Sequence, residues 1–74
     1  MNDINPLVSV VVITYNSSET IIETLNSVKN QTYQNIELIV SDDCSTDNTV
    51  SVIREWLKNN TEHFIRTKLI EVQK

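Results

Sequence analysis

The fold is decided by residues 7–16, LVSVVVITYN. The first seven residues of this stretch are almost continuously apolar and β-branched, and the turn-forming pair Tyr15 and Asn16 follows Thr14. A short apolar run bounded by turn residues is typical of a strand buried on both faces, as in a parallel sheet. We therefore predict a first, fully buried strand over residues 7–13, with polar side chains at its carboxyl end.

A helix is predicted after this strand. Ser17 or Ser18 can cap it, and Glu19 would place a negative charge in the first turn, where the helix dipole favours one. An apolar stripe follows at the i, i+4 and i+7 positions: Ile21, Leu25 and Val28. The polar residues 30–32 should end this helix.

Two more strands and a second helix complete the predicted order. The apolar residues 36–40, IELIV, indicate a strand that leads into Ser41, Asp42 and Asp43, and residues 67–72, TKLIEV, indicate a third strand. Between them lies a helix with Trp56 in its buried face and with two candidate caps, Ser45 and Asp47. The order β-α-β-α-β predicts an α/β fold, a Rossmann-like parallel sheet.

Composition limits the function classes. The chain has 74 residues, one cysteine and one histidine, which exclude an internal disulfide and a zinc framework. Its net charge of −4, without a basic cluster, disfavours binding to nucleic acid. The longest apolar run, residues 10–13, is far too short to span a bilayer, and the first residues lack the basic start of a signal peptide. We expect a cytoplasmic protein.

Candidate ligand-binding residues follow the first two strands, because ligands of such sheets bind beyond the carboxyl ends of the strands. The Asp43 carboxylate can accept a charge-assisted hydrogen bond from a base imide N–H or a ribose hydroxyl, whereas Asp42 has equal claims as a cap and as a ligand contact. The Tyr15 ring offers a face on which a base can stack, although an aromatic lid over the sheet is the more common role. The chain contains no glycine, which argues against a P-loop or a GxGxxG dinucleotide site.

Three stretches resemble one known family. They are residues 6–16, PLVSVVVITYN; residues 25–33, LNSVKNQTY; and residues 37–49, ELIVSDDCSTDNT. In this order and spacing they are similar to the family 2 glycosyltransferases with the GT-A fold. The resemblance implies that residues 1–74 are the amino-terminal, nucleotide-recognising segment of an inverting transferase. Such an enzyme moves a sugar from a nucleotide-diphospho-sugar, usually a UDP-sugar, to an acceptor hydroxyl, and polysaccharide biosynthesis in bacteria is its expected setting.

The resemblance also implies roles for single residues. Tyr15 would stack on the base, Thr14 and Asn16 would line its pocket, and Asp43 would bond the base imide while Asp42 supports that edge. Glu19, by its position at the start of the predicted helix and independently of the resemblance, is expected to be a helix-dipole partner first and a ligand contact second.

The resemblance places the chemistry elsewhere. The family's Asp-x-Asp motif for a divalent cation, Mn²⁺ or Mg²⁺, and its catalytic base lie downstream of the matched stretches, so no catalytic or metal-binding residue is expected in this segment. One departure concerns Cys44, which stands where the family commonly has glycine and would be strained if the turn needs a positive φ.

Two other functions compete with a transferase segment. A stand-alone βαβ module could hold a nucleotide or a protein without catalysis. A signalling receiver domain would need its acidic pair after the first strand, where this chain has Thr14, Tyr15 and Asn16. The sequence does not specify the donor sugar or the acceptor, whether a sugar, a lipid-linked sugar or a protein. Peripheral association of the full protein with the inner face of the membrane is compatible with the family.

Overall fold

A computed structural model describes residues 6–73 and contains three strands and two helices. In chain order these are β1 (Val8–Thr14), α1 (Ile21–Asn30), β2 (Ile36–Asp42), α2 (Thr49–Asn60), a 3₁₀ turn (Thr61–His63) and β3 (Arg66–Glu71). The strands are parallel and lie in the order β1-β2-β3. The predicted α/β fold is confirmed, with strand starts within one residue of the expected positions.

The core lies between the sheet and both helices. Leu38 and Val40 of β2 have no exposed surface, and neither have Leu25 of α1 and Ile53 of α2. The buried apolar cluster consists of Ile21, Leu25, Ile36, Leu38, Val40, Ile53, Trp56, Leu57 and Phe64. Because residues of α1 and α2 share this cluster with the same face of β2, both helices cover one side of the sheet.

The prediction that β1 is buried on both faces was wrong for the described residues. Val10 and Val12 pack against the core, but Val11 is 56% exposed and Ile13 is 77% exposed. Side chains alternate between the faces of a strand, and within residues 6–73 both helices lie on the side of Val10 and Val12. We call the other side the open face. It carries Ser9, Val11 and Ile13 of β1, Glu37, Ile39 and Ser41 of β2, and Arg66, Lys68 and Ile70 of β3.

The start of α1 also differs from the expectation. The helix begins at Ile21, whose N–H donates to the carbonyl of Ser17 at 2.8 Å. The Ser17 hydroxyl is not a cap, because it donates back to the carbonyl of Tyr15 at 2.9 Å. Glu19 therefore lies in the exposed turn before α1 and not in its first helical turn.

Polar contacts join the two helices at the edge of the core. The indole N–H of Trp56 donates to Asn26 Oδ1 at 2.9 Å. Asn60 Nδ2 donates to the carbonyl of Trp56 at 2.7 Å, and Lys29 Nζ donates to Asn60 Oδ1 at 2.8 Å. Trp56 thus belongs to the core, as predicted. Neither helix in residues 6–73 combines the length and the apolar character that crossing a membrane requires.

Candidate functional site

The carboxyl ends of β1 and β2 lie side by side. Thr14 is in register with Asp42, and the N–H of Asp43 donates to the carbonyl of Thr14 at 2.9 Å. Five of the six residues predicted to meet a nucleotide therefore sit at one edge of the sheet: Thr14, Tyr15, Asn16, Asp42 and Asp43. Glu19, the sixth, is on the turn that leads from this edge into α1.

Asp42 is the centre of this edge. Its carboxylate is 1% exposed and accepts bonds from the Thr14 hydroxyl at 2.7 Å and from the Ser45 hydroxyl at 2.6 Å, both at Oδ1. The backbone N–H of Ser45 donates to Oδ2 at 2.8 Å. Burial alone would raise the pKa of Asp42, but these hydrogen bonds outweigh it and hold the pKa below its usual range. Asp42 is therefore an ionised, buried tie between β1 and the loop after β2.

Asn16 forms the second tie between the two loops. Its backbone N–H donates to Ser45 Oγ at 2.9 Å, and its side-chain Oδ1 accepts from the N–H of Thr46 at 2.8 Å. Its φ is 45°, in the left-handed region that asparagine tolerates better than most residues. Asn16 thus holds the turn after β1 against the loop after β2, which is the role that asparagine usually takes in turns.

Thr49 forms a third tie, at the start of α2. Its hydroxyl accepts from the N–H of Ser17 at 2.8 Å and donates to Asp47, which also accepts the N–H of Thr49 at 2.9 Å. Hydrogen bonds from Thr49, and weaker ones from Ser18, lower the pKa of Asp47 and outweigh burial, which would raise it. Asp47 thus binds the first backbone N–H of α2, as a cap would, from the position before the N-cap residue Asn48.

The role of Ser45 was predicted wrongly. Its hydroxyl does not cap α2, because it bridges Asp42 and Asn16. We call the contacts among residues 14–18 and 42–49 the loop clasp. The sequence did not predict the hydrogen bonds that Ser45 and Thr49 make in the loop clasp. The spacing of Asp42 and Ser45 could have indicated one of them, since an aspartate often binds the backbone a few residues further on.

Cys44 sits at the tip of the clasp with a φ of 58°. It is exposed, and its left-handed conformation is one that glycine adopts without cost. The strain expected at this position is therefore present, and Asp42 and Ser45 hold the turn in place on either side of it.

The edge offers recognition groups and no metal centre. Tyr15 is 56% exposed, and the neighbouring Asp43 is half-buried. Among residues 6–73, no three His, Cys, Asp or Glu side chains converge as metal ligands. Every buried side-chain nitrogen or oxygen of this part of the chain has a hydrogen-bond partner. The described residues therefore offer no cluster of three such ligands, whereas an aromatic face and a carboxylate at one edge of the sheet suit a nucleobase.

Comparison with known proteins identifies relatives of this arrangement. The chain is 52% identical to an uncharacterized glycosyltransferase of Haemophilus influenzae over 53 residues, which cover 72% of this chain and 16% of that protein. It is 47% identical over 49 residues to UDP-Glc:alpha-D-GlcNAc-diphosphoundecaprenol beta-1,3-glucosyltransferase WfaP of Escherichia coli, covering 66% of this chain and 20% of the relative. The chain thus spans a fifth or less of the length of these two relatives.

A solved structure matches the fold. The mannosyltransferase PcManGT from Pyrobaculum calidifontis, in complex with GDP-Man and Mn²⁺, superposes with a TM-score of 0.81 at 31% identity. The match covers 92% of this chain and 19% of that protein, so the β-α-β-α-β unit recurs as the corresponding part of a longer GT-A glycosyltransferase.

The family pattern described as Glycosyl transferase family 2 matches residues 9–71. This range contains both helices, the loop clasp and the three strands, except for Val8 at the start of β1. This chain therefore belongs to glycosyl transferase family 2.

Proposed function

We propose that this chain recognises the nucleotide of a nucleotide-diphospho-sugar, a UDP-sugar in the first instance, for an inverting glycosyltransferase that acts on an acceptor hydroxyl. The observation that carries the proposal is the juxtaposition of Tyr15 and Asp43 at the edge held by the loop clasp. Thr14 and Asn16 position these two groups, because Thr14 is bonded to Asp42 at the end of β2 and Asn16 is bonded to Ser45 in the loop that follows. Glu19 is assigned a peripheral contact on the same side.

The chemistry of the edge favours some bases over others. A carboxylate accepts hydrogen bonds and donates none when ionised. Uracil presents a ring N–H to it, and guanine presents a ring N–H and an amino group, whereas cytosine has an unprotonated ring nitrogen at the corresponding position. Asp43 should therefore accept uridine or guanosine nucleotides and discriminate against cytidine nucleotides.

The names of the relatives support the wider proposal. WfaP is named for a UDP-Glc donor and a diphosphoundecaprenol-linked acceptor, and PcManGT was solved with GDP-Man. We assign the divalent cation and the catalytic base of the full enzyme to polypeptide outside residues 6–73, since these residues do not fit a cation. Polysaccharide synthesis at the inner face of the cytoplasmic membrane, on a lipid-linked acceptor, is the setting we propose.

Nucleotide titration followed by amide NMR tests the proposal on the 74-residue chain. UDP and GDP should shift the amide signals of Tyr15 and Asp43, and CDP should bind at least about tenfold more weakly, because cytosine has no ring N–H and offers the carboxylate only its exocyclic amino group. The variant Asp43→Asn should lose the preference for UDP over CDP, since an amide can donate as well as accept.

A matched control is Glu23→Gln, which removes a carboxylate from the exposed side of α1. It should bind UDP as the unsubstituted chain does. Equal affinity for UDP, GDP and CDP would contradict the assignment of Asp43, and so would an Asp43→Asn variant that keeps the preference.

A further inference from the structure

Both peptide groups that flank Tyr15 are hydrogen-bonded to residues that follow β2. The carbonyl of Thr14, on the amino side of Tyr15, accepts from the N–H of Asp43 at 2.9 Å. The N–H of Asn16, on the carboxyl side, donates to Ser45 Oγ at 2.9 Å. Because one bond holds each side of the residue, the two bonds together fix the backbone of Tyr15 relative to the loop after β2.

These two bonds differ in what they require of the sequence. The first joins two backbones and can form whatever side chains are present. The second requires the hydroxyl of Ser45. The Ser17 hydroxyl also donates to the carbonyl of Tyr15 at 2.9 Å, but it belongs to the same turn and does not fix Tyr15 relative to β2. The placement of Tyr15 therefore depends on the side chain at position 45.

The Ser45 hydroxyl is itself held in one orientation. It donates to Asp42 Oδ1 at 2.6 Å, and the N–H of Ser45 donates to Oδ2 of the same carboxylate at 2.8 Å. A hydroxyl has one proton, so its lone pairs are left to accept from Asn16. Asp42 is 1% exposed and directly precedes Asp43. The hydroxyl thus links the residue before Asp43 to the residue after Tyr15.

Two backbone positions of unusual conformation lie next to this link. Within residues 6–73, Asn16 with a φ of 45° and Cys44 with a φ of 58° are the only residues with a positive φ. Each directly follows one of the two proposed recognition residues. Such conformations persist where the surrounding structure holds them, and they cluster at ligand sites. Ser45 binds the N–H of Asn16 and follows Cys44 in the chain, so it can hold both.

We propose that Ser45 is a positioning residue for nucleotide recognition, whose hydroxyl fixes Tyr15 relative to Asp43. This inference rests on the proposed function, which assigns the base to those two residues. A base that stacks on one group and bonds to the other needs both in place to within about 0.5 Å. Ser45 does not contact the nucleotide in this arrangement; it acts through Asn16 and Asp42.

Loss of the Ser45 hydroxyl should loosen this edge without unfolding the chain. The N–H of Ser17 still donates to Thr49 Oγ1 at 2.8 Å, and the Thr14 hydroxyl still donates to Asp42 at 2.7 Å. The turn after β1 thus stays attached on either side of Asn16. We therefore expect the effect of Ser45→Ala to be concentrated at residues 15 and 16.

Amide hydrogen exchange without nucleotide tests the positioning on the 74-residue chain. In Ser45→Ala the N–H of Asn16 should exchange at least about fivefold faster, because its acceptor is gone. Ser45→Thr keeps the hydroxyl and should restore the slow rate. Ser9→Ala is the matched control. The Ser9 hydroxyl also joins β1 to β2, donating to Glu37 at 2.7 Å, but near the opposite end of the strands, so its loss should leave the exchange of Asn16 unchanged.

The preference for UDP over CDP separates positioning from stability. A variant that is partly unfolded loses apparent affinity for both nucleotides by the same factor. Displacement of Tyr15 relative to Asp43 should instead weaken UDP more, because the uracil ring N–H is the group assigned to the carboxylate. Ser45→Ala should bind UDP about three- to tenfold more weakly and lose part of this preference, whereas Ser45→Thr should keep both.

A milder variant covers the case in which Ser45→Ala does not fold. Ser45→Cys, kept reduced, places a weak donor and acceptor at the same position and should change both measurements in the same direction. Unchanged exchange of Asn16 in the folded variants, an unchanged preference for UDP, or an equal effect of Ser9→Ala would overturn the proposal. If the unsubstituted chain binds neither UDP nor CDP, the proposed function fails, and the exchange of Asn16 then decides whether Ser45 positions Tyr15.

Discussion

Asp42 and Asp43 are adjacent in the chain, yet the structure gives them different surroundings. Asp42 is 1% exposed and accepts three hydrogen bonds from Thr14 and Ser45, whereas Asp43 is half-buried at the start of the loop after β2. The reason is the alternation of the strand, which turns Asp42 to the side of the helices. At this scale Asp42 is a structural residue, and the Asp43 carboxylate is the better candidate for a ligand contact.

Replacing Asp42 by asparagine should destabilise the chain and flatten its response to acid. At neutral pH, the N–H₂ group of the amide replaces one carboxylate oxygen and faces either the Ser45 N–H or the Thr14 and Ser45 hydroxyls, at a cost of about 1–3 kcal/mol for a buried group left unpaired. Below pH 5 the unsubstituted chain should lose stability, because an unfolded aspartate, with a pKa of about 3.9, takes up protons at a higher pH than folded Asp42 does.

Urea unfolding between pH 3 and pH 7 measures both effects. The stability contributed by Asp42 is fully present above the unfolded pKa and is lost as the pH falls through the lowered folded pKa. The free energy of unfolding of Asp42→Asn should therefore fall less steeply with decreasing pH than that of the unsubstituted chain. Part of the pH dependence of stability should remain in the variant, because the pKa of Asp47 is also lowered. Parallel pH profiles of the two proteins would refute the role of Asp42.

Cys44→Gly should stabilise the chain. A non-glycine residue at a φ of 58° costs about 1–2 kcal/mol, part of which is offset by the greater freedom of glycine in the unfolded state. We expect a net gain of about 0.5–1 kcal/mol in the free energy of unfolding. The control is Cys44→Ala, which also removes the thiol but keeps the backbone strain. If Cys44→Ala raised the free energy of unfolding as much as Cys44→Gly does, the gain would come from loss of the thiol and not from relief of strain.

At the scale of elements, both helices depend on one side of the sheet. Ile53 of α2 and Leu25 of α1 have no exposed surface, and Trp56 joins the helices through its bond to Asn26. Short helices of this kind are marginal in water and owe most of their stability to packing. Neither helix is held by a side-chain cap at its N-cap residue, which leaves packing and the loop clasp as the main constraints.

Ile53→Ala tests this dependence. The substitution opens a cavity between α2 and β2 and should cost about 2–5 kcal/mol, most of the stability of a domain this small. Loss of helical circular dichroism at lower urea concentration, or at all concentrations, is the expected result. Ser51→Ala, at an exposed position of the same helix, should stay within about 0.5 kcal/mol of the unsubstituted chain. Equal effects of the two substitutions would contradict the packing account.

At the scale of the whole molecule, the proposed recognition surface stands without a cluster of metal ligands beside it in the described residues. Residues 6–73 hold a candidate nucleotide surface but no cluster of metal ligands, and the chain corresponds to 19% of the matched mannosyltransferase. Within residues 6–73, no strand pairs with the outer edge of β1, and Val11 and Ile13 of the open face are exposed.

The 74-residue chain should bind nucleotide but transfer no sugar. Incubation with UDP-glucose or GDP-mannose, Mn²⁺ and a sugar acceptor should release no nucleoside diphosphate above the rate without protein, because the described residues offer no cluster of three ligands for the cation. Coupled detection of UDP or GDP measures this, with a complete family member as the positive control. Turnover that depends on the chain and is lost in Asp43→Asn would show that the chemistry resides in these residues.

The elements themselves were predictable from local sequence. The apolar runs of β1 and β2, the stripe at Ile21, Leu25 and Val28, and the order of strands and helices all depend on residues that are close in the chain. The five candidate site residues at one edge were also predictable, since parallel strands bring their carboxyl ends together. Their binding of a nucleotide stays a prediction.

The amino-acid sequence by itself determined the α/β class, the strand positions and the family, because hydrophobic periodicity and short motifs are local properties of the chain. Only the tertiary structure decided that Asp42 is buried while Asp43 is not, that Ser45 bridges two loops, and that one face of β1 stays open. Those outcomes depend on which element covers which side of the sheet, and on donors and acceptors about thirty residues apart in the chain, such as Asn16 and Ser45. Burial and hydrogen bonding at such separations arise from packing, which no local pattern encodes.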